Sequence, residues 1–326
     1  MSRLQKALCA AAACLLAAFC LSLCVGRYPL RPADALAALL GKGGLSAQVF
    51  LRLRVPRSVA ALLAGAALGA GGAVYQALFG NPLAAPDIMG VSGGATLGAA
   101  VCIVCFGGAG VPAFAFIGGL AALAAALLLT RASGSRGTAG IVLSGVLVSA
   151  AVRAAITVLK LLADTDGELA AIEFFTMGSF SGITAHALPP MLAGVVPGFL
   201  LLWLLRRQIP LLTLPAQEAA SLGVRVGAVR ALVLGGATLA VCAVSAQTGV
   251  IAFAPLLAPH GARLLLGGRS RGLLPLSVLL GGVLLLLADT AARLLPGAEL
   301  PVSVFTTALG VPLLAFLMAK GGRADG

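Results

Sequence analysis

The sequence predicts an all-α polytopic membrane protein with about ten transmembrane helices. Three observations carry this. Hydrophobic residues make up 60% of the 326-residue chain and charged residues only 10%, with a mean hydropathy of +1.09. A soluble domain of this size has no way to hide so much apolar surface, because a folded protein still needs a polar skin. Apolar runs recur at lengths close to the roughly 20 residues that a bilayer core requires. Finally, Gly (43 residues) and Ala are abundant while aromatics are only 5%, which suits helices packed closely through small side chains.

Taken in order, residues 1–26 carry Arg3 and Lys6 and then an apolar run. No convincing small-residue cleavage site follows, and Leu23 is too bulky for a lipoprotein box, so this run reads as an uncleaved first helix. Further runs lie near 58–79, 91–106, 112–130, 140–160, 187–205, 229–248, 250–267, 274–295 and 302–319. The 250–267 run is interrupted by Pro255, Pro259 and His260. Gly65-Ala66-x-Leu68 with Gln76 recurs as Gly236-Ala237-x-Leu239 with Gln247, at a constant offset of 171 residues. That is either an inverted transporter repeat or chance matching in Ala/Gly-rich sequence.

Charge decides the orientation. The net charge is +12, but the basic residues are scattered over short loops with no aromatic-interleaved patch, which argues against nucleic acid. An even number of spans puts both termini on one side. The positive-inside rule makes that side the cytoplasm, with Arg131, Arg136, Arg206, Arg207, Arg225, Arg230, Arg269 and Arg271 in inner loops and Arg3, Lys6, Lys320 and Arg323 at the ends. The outer side then holds Lys160, Arg293 and a basic loop, 27–57, with Arg27, Arg31, Lys42, Arg52, Arg54 and Arg57 against the single acid Asp34. Such a loop runs against the rule, so it either serves a partner or snorkels to headgroups.

Two polar stretches do not span. The outer loop 161–185 carries Asp164, Asp166, Glu168 and Glu173, and reads as a short helix at a pore mouth or as a solvated loop. The inner stretch 208–228 contains a helix-prone segment, Ala216–Leu222, started by Pro215 and stopped by Gly223.

Catalytic signatures are missing from the sequence. It has no phosphate-binding GxxxxGK[ST] loop, no HExxH, no nucleophile elbow and only two histidines, His186 and His260. The seven cysteines lie in apolar runs, and Cys102-x-x-Cys105 has no partner cluster, so neither a disulfide framework nor a metal site is expected. Arg153, Arg263 and Asp289 are the charges inside spans; they are too few for an evident proton relay, and Arg263 and Asp289 are candidates to satisfy each other. No cofactor is expected. A subunit energised by a partner fits better than a stand-alone secondary transporter or channel, or a membrane enzyme.

The motifs narrow this further. Arg54-x-Pro-Arg57 is followed by Gly65–Leu68, Gly71-Gly72, Tyr75-Gln76, and Asn81-Pro-Leu-Ala-x-Pro-Asp87 with Gly90 and Gly94-Ala95. Phe253–Leu266 reads FAPLLAPHGARLLL, and Leu287-Ala-Asp-x-x-Ala-Arg293 precedes Glu299-Leu-Pro with Thr306, Gly310 and Pro312. These resemble the permease subunit of type II ABC importers, the FecCD-type family that takes up iron-siderophores, haem and cobalamin. Ala252 and Pro255 depart from its pattern, and Pro255 is expected to stiffen or bend the backbone there.

The resemblance implies a homodimer in a prokaryotic inner membrane, two cytoplasmic ATP-binding subunits, an extracytoplasmic substrate-binding protein and a metal-chelate substrate. By it, Arg54, Arg57 and Arg293 receive carboxylates of the binding protein. Asn81, Pro82, Leu83 and Thr138 form a cytoplasmic gate. Glu218, Ala219, Ser221, Leu222 and Gly223 belong to the element that couples to the ATPase. Phe175, Met177, Gly178 and Ser179 stand beside the outer pore mouth.

Overall fold

The computed structural model describes residues 2–321 except 29, 31, 41–43, 135, 136, 166, 268–271 and 296–298. Arg31, Lys42, Arg136, Asp166, Arg269, Arg271 and Arg323 therefore lie outside the described residues. What is described is helical throughout. Helix α1 (Arg3–Cys24) starts in a capping box, in which the Ser2 hydroxyl accepts from the Gln5 amide and the Gln5 side chain accepts from the Ser2 amide.

The basic stretch is less of a loop than expected. After α2 (Pro32–Leu39) and the single turn α3 (Leu45–Gln48), a π-helical segment, Val49–Arg54, runs without a break into α4 (Val55–Phe79). The continuous rod from Leu45 to Phe79 has 35 residues. At about 1.5 Å per residue it is longer than the ~30 Å hydrocarbon core, so one end projects from it. The wider π turns also shift the helical register. Arg52 faces out, whereas Arg54 and Arg57 face in.

Helix α4 is the most buried span. In lipid there is little hydrophobic drive to bring helices together, so contact depends on how near the backbones can come. A Cβ on Gly65 would overlap the Gly281 carbonyl, one on Gly69 the Ser277 carbonyl, and one on Gly72 the Pro255 carbonyl. These three positions seat α13 (Leu273–Leu294) and α12 (Ala254–Leu266) directly on α4. On another side α4 packs antiparallel to α11 (Val226–Thr248), with Gly71 against Val241 and the Tyr75 hydroxyl 2.8 Å from that of Thr238. The two stretches of the suspected repeat are therefore neighbours.

The remaining helices surround this core. Helix α5 (Val91–Phe106) packs on α6 (Val111–Ala132) through Gly94 and Gly118. Helix α7 (Thr138–Leu162) covers both, and α9 (Leu188–Leu204) lies on α11 through Gly198 and Gly236. The short α8 (Glu168–Met177) and α10 (Ala216–Ser221) lie in the two polar stretches, and α14 (Val302–Gly321) closes the chain.

All ten expected apolar runs are helical, but seven among the described residues are long and apolar enough to cross a bilayer alone. Helices α5, α12 and the described apolar part of α14 are shorter. Pro255 is accommodated at the start of α12. It lies in the first turn, where its missing N–H costs nothing, and Phe253 ahead of it takes the left-handed conformation.

Because the Gly72 seam leaves no room for a Cβ, Gly72→Val should force α4 and α12 apart. The expected result is loss of the monodisperse detergent-solubilised peak on size exclusion, while Gly235→Ala, at a helical position of α11 with open space around it, leaves the peak intact.

Candidate functional site

Four charges and two hydroxyls meet at one end of α4. The Asp289 carboxylate on α13 is fully buried. Arg57 donates from Nε to Asp289 Oδ1 at 2.9 Å and from Nη1 to Glu299 Oε2 at 2.8 Å. Arg293 stands one turn on from Asp289, with Nε 3.1 Å from its Oδ2. It also donates to the Ser22 hydroxyl at 2.7 Å and the Ser22 carbonyl at 3.1 Å, and Ser22 in turn touches the Ser58 hydroxyl at 2.7 Å. Two arginines and two carboxylates sum to zero, which is what a low-dielectric site demands. Arg54 lies outside this ring and donates to the carbonyls of Leu23 and Tyr28.

The three arginines that the resemblance assigns to docking are thus brought to one end of the bundle, but in the chain by itself they are 5%, 9% and 6% exposed and committed to internal acceptors. Glu299, at 24% side-chain exposure, is the wettest member of the ring. The suggested pairing of Arg263 with Asp289 is not what the chain does. Arg263 bonds Gln76 of α4, and Asp289 pairs with Arg57 and Arg293. Helical spacing reveals the Asp289–Arg293 contact in sequence, whereas Arg57 is 232 residues away and only the α4–α13 packing delivers it.

At the opposite end of α4, Asn81 closes a tight turn by accepting the Leu83 amide at 2.8 Å. Asn81, Pro82 and Leu83 are exposed. Gly80 and Thr138, the first residue of α7, line one cavity of about 370 Å³, together with Thr213, Pro215 and Arg230. The gate positions therefore share an end of the bundle with the segment leading into α10. In that element Pro215 does cap the helix and Gly223 does stop it, at φ +81°. Ala219 is buried, Glu218 and Ser221 are exposed, and Leu222 projects with 61% exposure.

The outer polar stretch contains the expected short helix, and it is strapped down rather than loose. Ser179 N–H donates to the Thr248 carbonyl at 2.7 Å, Val250 N–H to Phe175 at 3.1 Å and Val302 N–H to Gly178 at 3.0 Å. Gly178, at φ +63°, approaches Val250 too closely for a side chain. Lys160 and Glu173 pair at 2.7 Å, joining α7 to α8. Phe175 and Ser179 line a cavity of about 590 Å³ with Asp164 and Glu168 at its rim, and Met177 is exposed.

One intramembrane charge has no such shelter. Arg153 is exposed in the middle of α7, a helix whose described surface is mostly uncovered. The segment carrying Asp87 reaches this depth, since the Ser149 hydroxyl, one turn from Arg153, donates to the Asp87 carbonyl at 3.4 Å and Gly145 abuts Ile88. Non-helical backbone at membrane depth is tolerated where it is buried in protein or lines a water-filled cavity.

Seven described helices long and apolar enough to cross a bilayer, seamed by glycine, define a multi-pass membrane protein. The FecCD transport family matches residues 14–320, and the chain belongs to it. It is 36% identical to the vitamin B12 import permease BtuC of Salmonella typhimurium, over 93% of this chain and 91% of that protein. It is 34% identical to the molybdate import permease MolB of Haemophilus influenzae, over 92% and 91%. The solved inward-facing structure of a metal-chelate type ABC transporter superposes with a TM-score of 0.86 at 30% identity, covering 97% of this chain and 99% of that one. The protein is an ABC importer permease.

Removing Asp289 leaves buried Arg293 without a carboxylate partner and Arg57 with Glu299 alone, so Asp289→Ala should cost about 3–5 kcal/mol. Glu299→Gln, at the wet rim, should cost about 1 kcal/mol or less. Thermal unfolding in detergent distinguishes the two.

Proposed function

We propose that this chain forms the translocation path of a binding-protein-dependent importer in a prokaryotic inner membrane. It works as a homodimer with two cytoplasmic ATP-binding subunits and an extracytoplasmic binding protein. The cargo is a ferric siderophore or a related chelate such as haem or cobalamin. It carries no catalytic site of its own, and ATP is hydrolysed in the partner subunits. Both termini are cytoplasmic, all ten helical runs take part in the membrane domain, and the chain forms one permease domain from 1 to 326.

The single observation that carries this reading is exposed Arg153 on α7. A guanidinium facing lipid at mid-depth costs several kcal/mol, whereas one facing a partner copy across a wet path does not. The uncovered face of α7 therefore belongs against the second subunit and the path. Transport follows by alternating access: ATP binding in the partner moves the α10 elements, the two permeases rock, and the gate at Asn81–Leu83 and Thr138 opens.

Docking of the binding protein is the role we give to Arg54, Arg57 and Arg293. Glu299 already occupies one side of Arg57, so an incoming carboxylate takes over that position rather than meeting a free arginine. Charge reversal at Arg57 would also break the Asp289 pairing, and so would not separate docking from folding. Glu299→Gln does separate them. The variant should insert normally and bind the binding protein more tightly, read by surface plasmon resonance on nanodiscs. Unchanged affinity would sink the docking role. The α10 assignment is tested by Leu222→Asp, which should abolish ATP-driven uptake in proteoliposomes without lowering the unfolding temperature. Orientation is tested by a cysteine at position 42, which should react with an impermeant reagent in intact cells.

A further inference from the structure

The cavity lined by Gly80 and Thr138 holds an arginine whose Nε has no hydrogen-bond partner among the described residues. Arg230, in the first turns of α11, is 8% exposed, and its Nε is buried with no hydrogen-bond partner among the described residues. A buried cation without a counter-charge is costly, because desolvation is not repaid. The same cavity is lined by Thr138 and Gly137, at the start of the 25-residue α7, where Gly137 offers no side-chain cap. The free N–H groups of that first turn add the positive end of a helix dipole. Two independent features therefore ask for an anion in one place.

We propose that this cavity is a socket for a single carboxylate side chain of the ATP-binding subunit. The proposal rests on the importer reading above. Three observations select this occupant. At about 370 Å³ the cavity admits one acidic side chain but not a metal chelate of siderophore or cobalamin size. Part of its wall, 212–215, leads directly into α10, so whatever seats here also contacts the coupling element. The surrounding segment, 206–230, carries four arginines against the one acid Glu218, and so complements an acidic surface. Arg230 then acts as the polar anchor beside the apolar knob of Leu222. The carboxylate joins the shift of α10 to the start of α7, and so links nucleotide state to the gate.

The test uses purified permease in nanodiscs and its cognate ATP-binding subunits, with Leu222→Asp as the reference for lost association. Arg230→Gln should raise the Kd for the subunits at least about tenfold, and Arg230→Lys by less. The difference from wild type should narrow as salt rises. An arginine held ready for a partner costs the free permease stability, so Arg230→Gln should leave the unfolding temperature unchanged or raise it. A merely structural arginine would lower it. Equal Kd for wild type and Arg230→Gln overturns the proposal and leaves the importer reading standing. So does stabilisation of wild type, but not of Arg230→Gln, by inorganic phosphate with subunit affinity untouched, which marks a small-anion site. Wild-type permease that does not bind the subunits overturns both.

Discussion

A carboxylate with no access to water has to be neutralised by protein, and Asp289 sets that demand at one end of the bundle. Its two counter-ions come from different helices, Arg57 on α4 and Arg293 on its own α13. Arg293 extends the network to Ser22 on α1. Three helices are thereby fixed in rotation about their axes. A hydrophobic contact in lipid cannot do this, because apolar faces gain little from meeting each other rather than lipid tails. The glycine seam lets α4 and α13 come close, and the ion pairs decide which faces meet.

The same helix therefore has different physics at its two ends. At the Arg57 end a ring of four charges sums to zero, and Arg54 beside it is held by carbonyls. The opposite end is open, with Asn81–Leu83 exposed and, in the cavity that Gly80 lines, an Arg230 whose Nε has no partner among the described residues. A rod fixed at one end and unfinished at the other suits a part that must stay in one piece while its inner neighbours move. Exposed Arg153 on α7 has the Asp87 carboxylate as its charged neighbour.

Much of the candidate site is legible because it is local. Pro215 and Gly223 bracket α10 through backbone rules that need no tertiary context. The Asn81 turn follows from an Asn-Pro step. The acid-rich outer stretch contains a short helix, as its pattern suggests, but its attachment to Thr248, Val250 and Val302 is invisible in sequence, because backbone hydrogen bonds carry no residue signature. The pairing of Arg263 is the instructive miss. Charge alone nominated Asp289, yet a neutral amide, Gln76, lies within reach and Asp289 does not.

The sequence by itself determined that the chain is a membrane protein, where its helices run, that α4 packs through small residues, and which motifs place it in the FecCD family. These follow from composition, period and near-neighbour chemistry. Only the tertiary structure decided which way the arginines face. The π-helical turns at Val49–Arg54 change the register just before Arg54 and Arg57, and a change of one residue in a helix rotates a side chain by about 100°. Arg57, which reads in sequence as part of a positive loop, is in the folded chain a member of a buried neutral ring, because the acids that balance it lie more than 200 positions away, at Asp289 and Glu299.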